Sequence, residues 1–295
     1  MNNNKNLTKP LVFPIISCSR RTDIPAFLMD WVIEKINIGY VDVVNPFNKN
    51  QVTRVSLKPK DVNCWVWWSK NFDDWIKKYN SNESTFKQYK GHFFQFTINS
   101  PCELEPNLII SLEERFNQLE WLINEFGTLP INFRFDPIIL FKNIGSDKIK
   151  SNLDKFNRII EYVSAIGLKE MTFSFATIYP KVKKRMISRG KIPIEISLQK
   201  KKEIIERLKT TCLENDIKMK ACCQPELLQV EGIEQAHCID AYRIEKAIGI
   251  NIKKIRDTGQ REHCGCYKSK DIGGYTGIFR CKHNCDYCYA SPAKQ

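Results

Sequence analysis

The chain has no apolar run approaching the ~20 residues that a membrane-spanning helix requires. Its first residues, Met1-Asn-Asn-Asn-Lys5, carry no signal-peptide core ahead of the short Leu11–Ile16 stretch. These absences lead to the expectation of a cytoplasmic protein with no membrane partner. No internal repeat and no obvious linker divides the sequence, and no Gly-x-Gly-x-x-Gly turn follows the first candidate strand, so a dinucleotide-binding fold lacks its main signal. Acidic residues are the scarcer charge, 33 Asp and Glu against 46 Lys and Arg, a net of +13. Such an excess suits a polyanionic partner, DNA or RNA. The lysines, however, are dispersed or in short runs (Lys181, Lys183, Lys184; Lys200 to Lys202), and the chain is rich in Lys, Asn and Ile, as AT-rich coding would give. Nucleic acid is therefore kept as an alternative partner.

With 295 residues, 42% hydrophobic and 11% aromatic, the chain can bury a sizeable core. Short apolar, β-branched runs at Val12–Ser17, Tyr40–Val44, Asn63–Trp68, His92–Ile98, Ile131–Phe135, Met171–Phe175 and Lys218–Cys222 read as strands. Helical patterns lie between them at Pro25–Asn37, Phe72–Tyr79, Leu112–Phe126, Ser151–Ile166 and Ile196–Asn215, the third with Ser111 as N-cap and Glu114 three residues on. Alternating units of this kind predict an α/β fold, a complete or partial (β/α) TIM-type barrel over residues 11–224. Residues 225–295 form a cysteine-rich, cluster-binding extension of the same domain. In such a barrel the chemistry sits where strands end. Polar residues follow every candidate strand, among them Arg20, Arg21 and Asp23, Asn45, Lys70, and Arg134 with Asp136. These are the candidate substrate- or cofactor-binding residues. Arg134 and Asp136 point inward together if Phe135 points out, and Trp65 and Trp67 read as core. His92, His237 and His263 have no partner spacing and take no role.

Twelve cysteines in a chain of this kind point to metal binding or catalysis more than to disulfides. Cys18, Cys64, Cys102 and Cys212 are scattered, and the other eight crowd the last quarter. Cys281, Cys285 and Cys288 form a C-x3-C-x2-C loop flanked by Tyr287 and Tyr289. Three thiolates can hold three irons of a [4Fe–4S] cubane and leave the fourth open to a small molecule. Zinc with His283 as fourth ligand is the other reading. A second group, Cys223, Cys238, Cys264 and Cys266 with Cys222 as alternate, could hold an auxiliary iron–sulfur cluster or a zinc ion, the Cys264-Gly-Cys266 step letting two thiolates approach one metal.

The loop resembles the radical S-adenosylmethionine (SAM) signature, C-x3-C-x-aromatic-C. From about Val12 to Ala290 the chain also resembles a bacterial family of uncharacterised proteins, domain of unknown function 1848. The matching stretches are Ile16-Ser-Cys-Ser-Arg-Arg-Thr-Asp-Ile-Pro-Ala-Phe27, Asn45-Pro-Phe-Asn48 through Thr53-Arg-Val-Ser-Leu57, Trp68-Ser-Lys-Asn71, Arg134-Phe-Asp-Pro137, Gln260-Arg261 with Cys264-Gly-Cys266, and Asp271-Ile-Gly273 leading to Cys281–Ala290. The resemblance implies a [4Fe–4S] cluster on Cys281, Cys285 and Cys288. It further implies SAM cleaved by one electron from a donor such as flavodoxin or ferredoxin, and hydrogen abstraction from a substrate the sequence does not identify. In radical SAM enzymes the cysteine loop follows the first barrel strand, whereas here it is the last motif. Their Gly-Gly-Glu motif has no recognisable counterpart beyond Gly273-Gly274. Two further alternatives are a nucleic-acid-binding or repair protein with iron–sulfur sites and a zinc-stabilised non-enzymatic protein.

Overall fold

A computed structural model describes residues 9–46 and 48–290. Its centre is a sheet of eight strands: β1 (Ile15–Cys18), β2 (Cys64–Ser69), β3 (Gly91–Thr97), β4 (Ile131–Ile138), β5 (Glu170–Phe175), β6 (Lys218–Ala221), β7 (Ile233–Gln235) and β8 (Lys270–Asp271). Every ladder in it is parallel. The strands follow chain order across the sheet, except that β8 returns to pair with β1. Among the described residues β7 and β8 share no ladder, so the expected barrel is met as a large parallel α/β sheet without a closed hydrogen-bonded ring. No helix among the described residues is long and apolar enough to cross a membrane.

Six of the seven expected strands fall on β1 to β6, because parallel strands buried on both faces read as continuous apolar runs. Their alternation sorts side chains into two cores. Trp65, Trp67, Phe94, Phe96, Phe133 and Phe135 pack with the flanking helices. On the opposite face Cys64, Val66 and Phe93 pack against Cys238, Ile239, Ile244, Cys264 and Cys266, so the cysteine-rich segment covers the sheet's inner side.

Tyr40–Val44 is corrected. Tyr40–Asn45 forms an antiparallel hairpin with Asn48–Ser56, outside the parallel sheet. Its burial alternates, Val41 and Val43 inside with Asp42 and Val44 outside, which is the pattern of a strand covered on one face only. Asn45 thus lies at a hairpin end, where its Nδ2 donates to Gln51 Oε1 at 2.6 Å, and not at the mouth of the sheet as expected.

The helix expected over Pro25–Asn37 is two helices, Ile24–Phe27 and Met29–Ile38, broken at Leu28. That over Ser151–Ile166 starts only at Phe156, since Lys150–Ser151 pairs with Leu140–Asn143 in a small antiparallel sheet completed by Lys191–Pro193. Leu112–Phe126 has the expected bounds and a full capping box between Ser111 and Glu114.

His92 is a core histidine. Trp67 Nε1 donates to its Nδ1 at 3.1 Å, and its Nε2 lies 3.2 Å from the Phe86 carbonyl, which fixes the neutral Nε2–H tautomer. Burial depresses its pKa to about 4, against the pull of the Phe86 hydrogen bond. The unfolded chain then binds the extra proton first. His92 stabilisation is complete above about pH 6.5 and declines towards pH 4, by up to about 1.4 kcal/mol per pH unit. Urea unfolding at pH 7, 6 and 5 should show this slope, reduced in His92→Gln. An equal slope in both proteins would contradict it.

Candidate functional site

The loops leaving the C-terminal ends of the parallel strands carry Arg20, Arg21 and Asp23 after β1, Lys70 after β2, and Asn99 and Glu105 after β3. Asp136 and Ser174 lie near the ends of β4 and β5. The three-cysteine loop lies across these ends. His283 Nε2 is 2.8 Å from Asp23 Oδ2, and Asp23 also accepts from Lys70 N at 3.0 Å and caps Ile24–Phe27 through Ala26 N. Tyr289 OH donates to Arg20 O at 3.0 Å. Tyr287 OH donates to Glu105, whose Oε1 is also 2.7 Å from Lys70 Nζ. Asp286 N donates to Leu104 O at 2.8 Å. The motif that comes last in sequence is therefore placed over the strand ends where parallel α/β folds gather their chemistry.

A cationic helix pins the loop. Asp286 is fully buried and pairs with Arg189 and, at 3.0 Å, with Lys191. Arg185, on the helix Pro180–Ser188, donates through Nε to Asp286 O at 2.9 Å and through Nη2 to Cys288 O. Arg189 also holds Asn284, at 3.0 Å to its carbonyl and 2.9 Å to Oδ1. Asn284 has φ +56°, a left-handed conformation that asparagine tolerates better than most residues. Leu104, Ile139, Phe141 and Met186 pack around Cys285 and Tyr287 and keep water away.

Burial pushes the Cys281 thiol up to about 12, with the Asp23 charge adding to it. Burial also holds Cys285 well above the ordinary thiol range, Glu105 reinforcing and Lys70 opposing, and it raises Cys288 against the pull of Arg185. Without a metal these thiols are protonated at neutral pH, and a bound ion would displace their protons. Residue type, apolar cover and the nearby Lys70 and Arg185 cations suit an anionic thiolate-bound cluster. Among the described residues no three His, Cys, Asp or Glu side chains converge as they stand on one metal ion.

The second group is brought together from three separate stretches. Cys222 Sγ lies 3.5 Å from Cys238 Sγ and 4.0 Å from Cys223 Sγ. Cys264 and Cys266 pack into the same buried cluster as Cys222, Cys223 and Cys238. Arg134 Nη1 donates to Cys238 Sγ at 2.7 Å, and Ile239 N to Cys266 Sγ at 3.4 Å. Hydrogen bonds from Cys238 and Cys264, with a smaller contribution from the Arg20 charge, hold Cys266 well below the ordinary thiol range.

Between the two groups lies a polar patch. Phe135 packs outward, and Arg134 and Asp136 pair on the inner face, as alternation requires. Burial works to raise the Asp136 pKa, but Arg134 and the Ser174 hydroxyl outweigh it and keep the carboxyl below its ordinary range. Trp68 offers its ring to Arg20 and Arg134, with 5.2 Å and 5.4 Å from guanidinium carbon to ring centroid. Trp65 and Trp67 are core, fully buried and stacked at 5.2 Å. Arg21 Nη1 donates to Gly273 O at 3.0 Å. Asp271 of β8 accepts from Ser19 Oγ at 2.6 Å and Arg20 N at 2.8 Å, shaping the exit of β1. Gly273 is required there, because a Cβ would lie 2.1 Å from Ser19 Oγ.

The structure thus gathers Arg20, Arg21, Asp23, Lys70, Arg134 and Asp136 with both cysteine groups and leaves Asn45 apart. Sequence reasoning missed Glu105, Arg185, Arg189 and Asp286. Only Asp286, inside the cysteine loop, carried a signal by position. No curated protein and no solved structure matches the chain. A family model matches residues 15–290, nearly the whole length, and the chain belongs to that family, described as a domain of unknown function, DUF1848.

Proposed function

We propose that the protein is a radical SAM-type iron–sulfur enzyme in which Cys281, Cys285 and Cys288 hold a [4Fe–4S] cluster over the ends of the parallel strands. The observation that carries this reading is the position of the loop, last in sequence yet seated across the exits of β1 to β3. Strand order also supports it. Eight parallel strands wound in chain order, with the last returning to the first, are the strands of a (β/α) barrel left open at the β7–β8 seam. When bound, the cluster would supply the electron that cleaves SAM. The chain's own residues bind, orient and exclude water. Leu104, Phe141 and Met186 dry the cluster side. Arg20 presents a buried Nη2 with no hydrogen-bond partner, a donor for an anionic group such as the SAM carboxylate. Asp136, ionised beside Arg134 and Ser174, faces the same patch and would orient a substrate hydroxyl or amine.

A second reading rests on His283, whose Nδ1 is buried without a partner. In that reading the three thiolates and His283 hold zinc. The two readings separate in one assay. Protein purified without oxygen, reduced and mixed with SAM should release 5′-deoxyadenosine, and Cys285→Ala should reduce this to background. Colourless protein with zinc in the loop, or nucleoside formation indifferent to Cys285→Ala, would overturn the enzyme reading.

A further inference from the structure

We propose that the second cysteine group is the site of a single four-coordinate thiophilic ion, zinc in the first instance, ligated by Cys222, Cys238, Cys264 and Cys266. The argument begins with distance. Four sulfurs about 2.3 Å from one ion at tetrahedral corners stand about 3.8 Å apart. The observed 3.5 Å between Cys222 and Cys238 is close to that edge. Thiolates on different irons of a cubane are separated by the whole cluster, far beyond van der Waals contact. The Cys222–Cys238 pair is therefore too close to span an auxiliary cubane and has the spacing of two ligands on one ion.

Burial selects four of the five. Cys222, Cys238, Cys264 and Cys266 are all under 10% exposed, whereas Cys223 is only half-buried. No three of them converge on one ion as they stand, but all four lie in one buried cluster, so side-chain rotation is what would bring them onto it. The surroundings are those of a charged thiolate site. The buried Arg134 donates to Cys238 at 2.7 Å, and the backbone N–H of Ile239 points at Cys266. A cluster of neutral thiols packed as small hydrophobes gives a buried guanidinium no reason to donate to one of them. The ion would tie the ends of β6 and β7 to the segment that leads into β8, across the β7–β8 seam, where the described residues form no ladder. It is a structural site, and it does not depend on what the Cys281 loop holds.

The test uses full-length protein in which Cys281, Cys285 and Cys288 are all replaced by alanine, leaving only this group. Zinc, iron and acid-labile sulfide are counted after anaerobic purification, with about one zinc per chain and no sulfide expected. Cobalt(II) added to chelator-treated wild-type protein should give the visible bands of a tetrahedral thiolate site, a readout that needs no variant to fold. Cys223→Ser should keep those bands, and Cys238→Ser should weaken cobalt binding at least tenfold. Iron with matching sulfide in the triple variant would overturn the proposal. So would a natively folded wild-type protein that takes up neither zinc nor cobalt, or a Cys223→Ser loss equal to that of Cys238→Ser. The triple variant lacks the first loop and Cys238→Ser leaves it intact, so these outcomes stand apart from the enzyme assay.

Discussion

Asp286→Ala should destabilise the fold by about 3 kcal/mol and, if the three-cysteine loop holds the proposed cluster, lower its iron content. Asp286 is fully buried between Arg189 and Lys191, whose side chains are 26% and 14% exposed. Removing the carboxylate leaves two cations facing an apolar lining with no counter-ion, and breaking such a pair costs several times what forming it gains. Arg189 can turn partly towards water, which places the expected loss at the lower end of the usual range. The loop has more to lose than stability. Arg189 and Arg185 also hold Asn284 and the carbonyls of Asp286 and Cys288, so the geometry of Cys285 and Cys288 depends on the same anchor. Asp286→Asn, which keeps the shape but not the charge, should fall between wild type and alanine in both urea midpoint and bound iron. If Asp286→Ala lowered the midpoint and left bound iron unchanged, the anchor would serve folding alone.

Trp75→Ala should be the larger stability loss, about 4 kcal/mol, with metal content unchanged in the protein that remains folded. Trp75 is fully buried and meets Tyr79 in a stack at 5.1 Å and Phe94 edge-on at 4.9 Å, with Trp67, Phe86 and Phe126 also around it. Truncation leaves a cavity that rigid aromatic neighbours cannot fill. One effect opposes it. Trp75 Nε1 is buried without a hydrogen-bond partner, so Trp75→Phe removes a polar atom at little cost in shape and should lose no more than about 1.5 kcal/mol. Thermal or urea unfolding of the two variants checks the order. Equal losses would mean that the cavity is not the cause.

What could be read from the sequence follows from how many residues each feature needs. β1 to β5 were legible because four to eight largely buried residues leave an apolar run, and β6 because its two buried residues alternate with lysines. β7 and β8 have three and two residues, too few for any period, and they are fixed only by the ladders they join. The hairpin misled because Tyr40–Val44 has the composition of a sheet strand, while its partner Asn48–Ser56 is polar over its first half and exposed there. In the site, cysteines and strand-end arginines carried their chemistry in residue type and spacing. Glu105 and Arg185 did not, since a lone charge after a strand or on a helix has the look of a solvated surface. Their burial or contacts arise only when the last loop folds back over the strand ends. The same holds for the second cysteine group, whose members are named by the sequence and whose gathering is purely tertiary.

The central claim is that the loop holds a cubane cluster, and the most direct measurement is a difference. Iron and acid-labile sulfide are counted in anaerobically purified wild-type protein and in the Cys281→Ala, Cys285→Ala, Cys288→Ala protein. The account predicts a loss of about four irons and about four sulfides per chain, with the brown colour. Equal iron and sulfide in the two proteins, or a loss of zinc in their place, would contradict it.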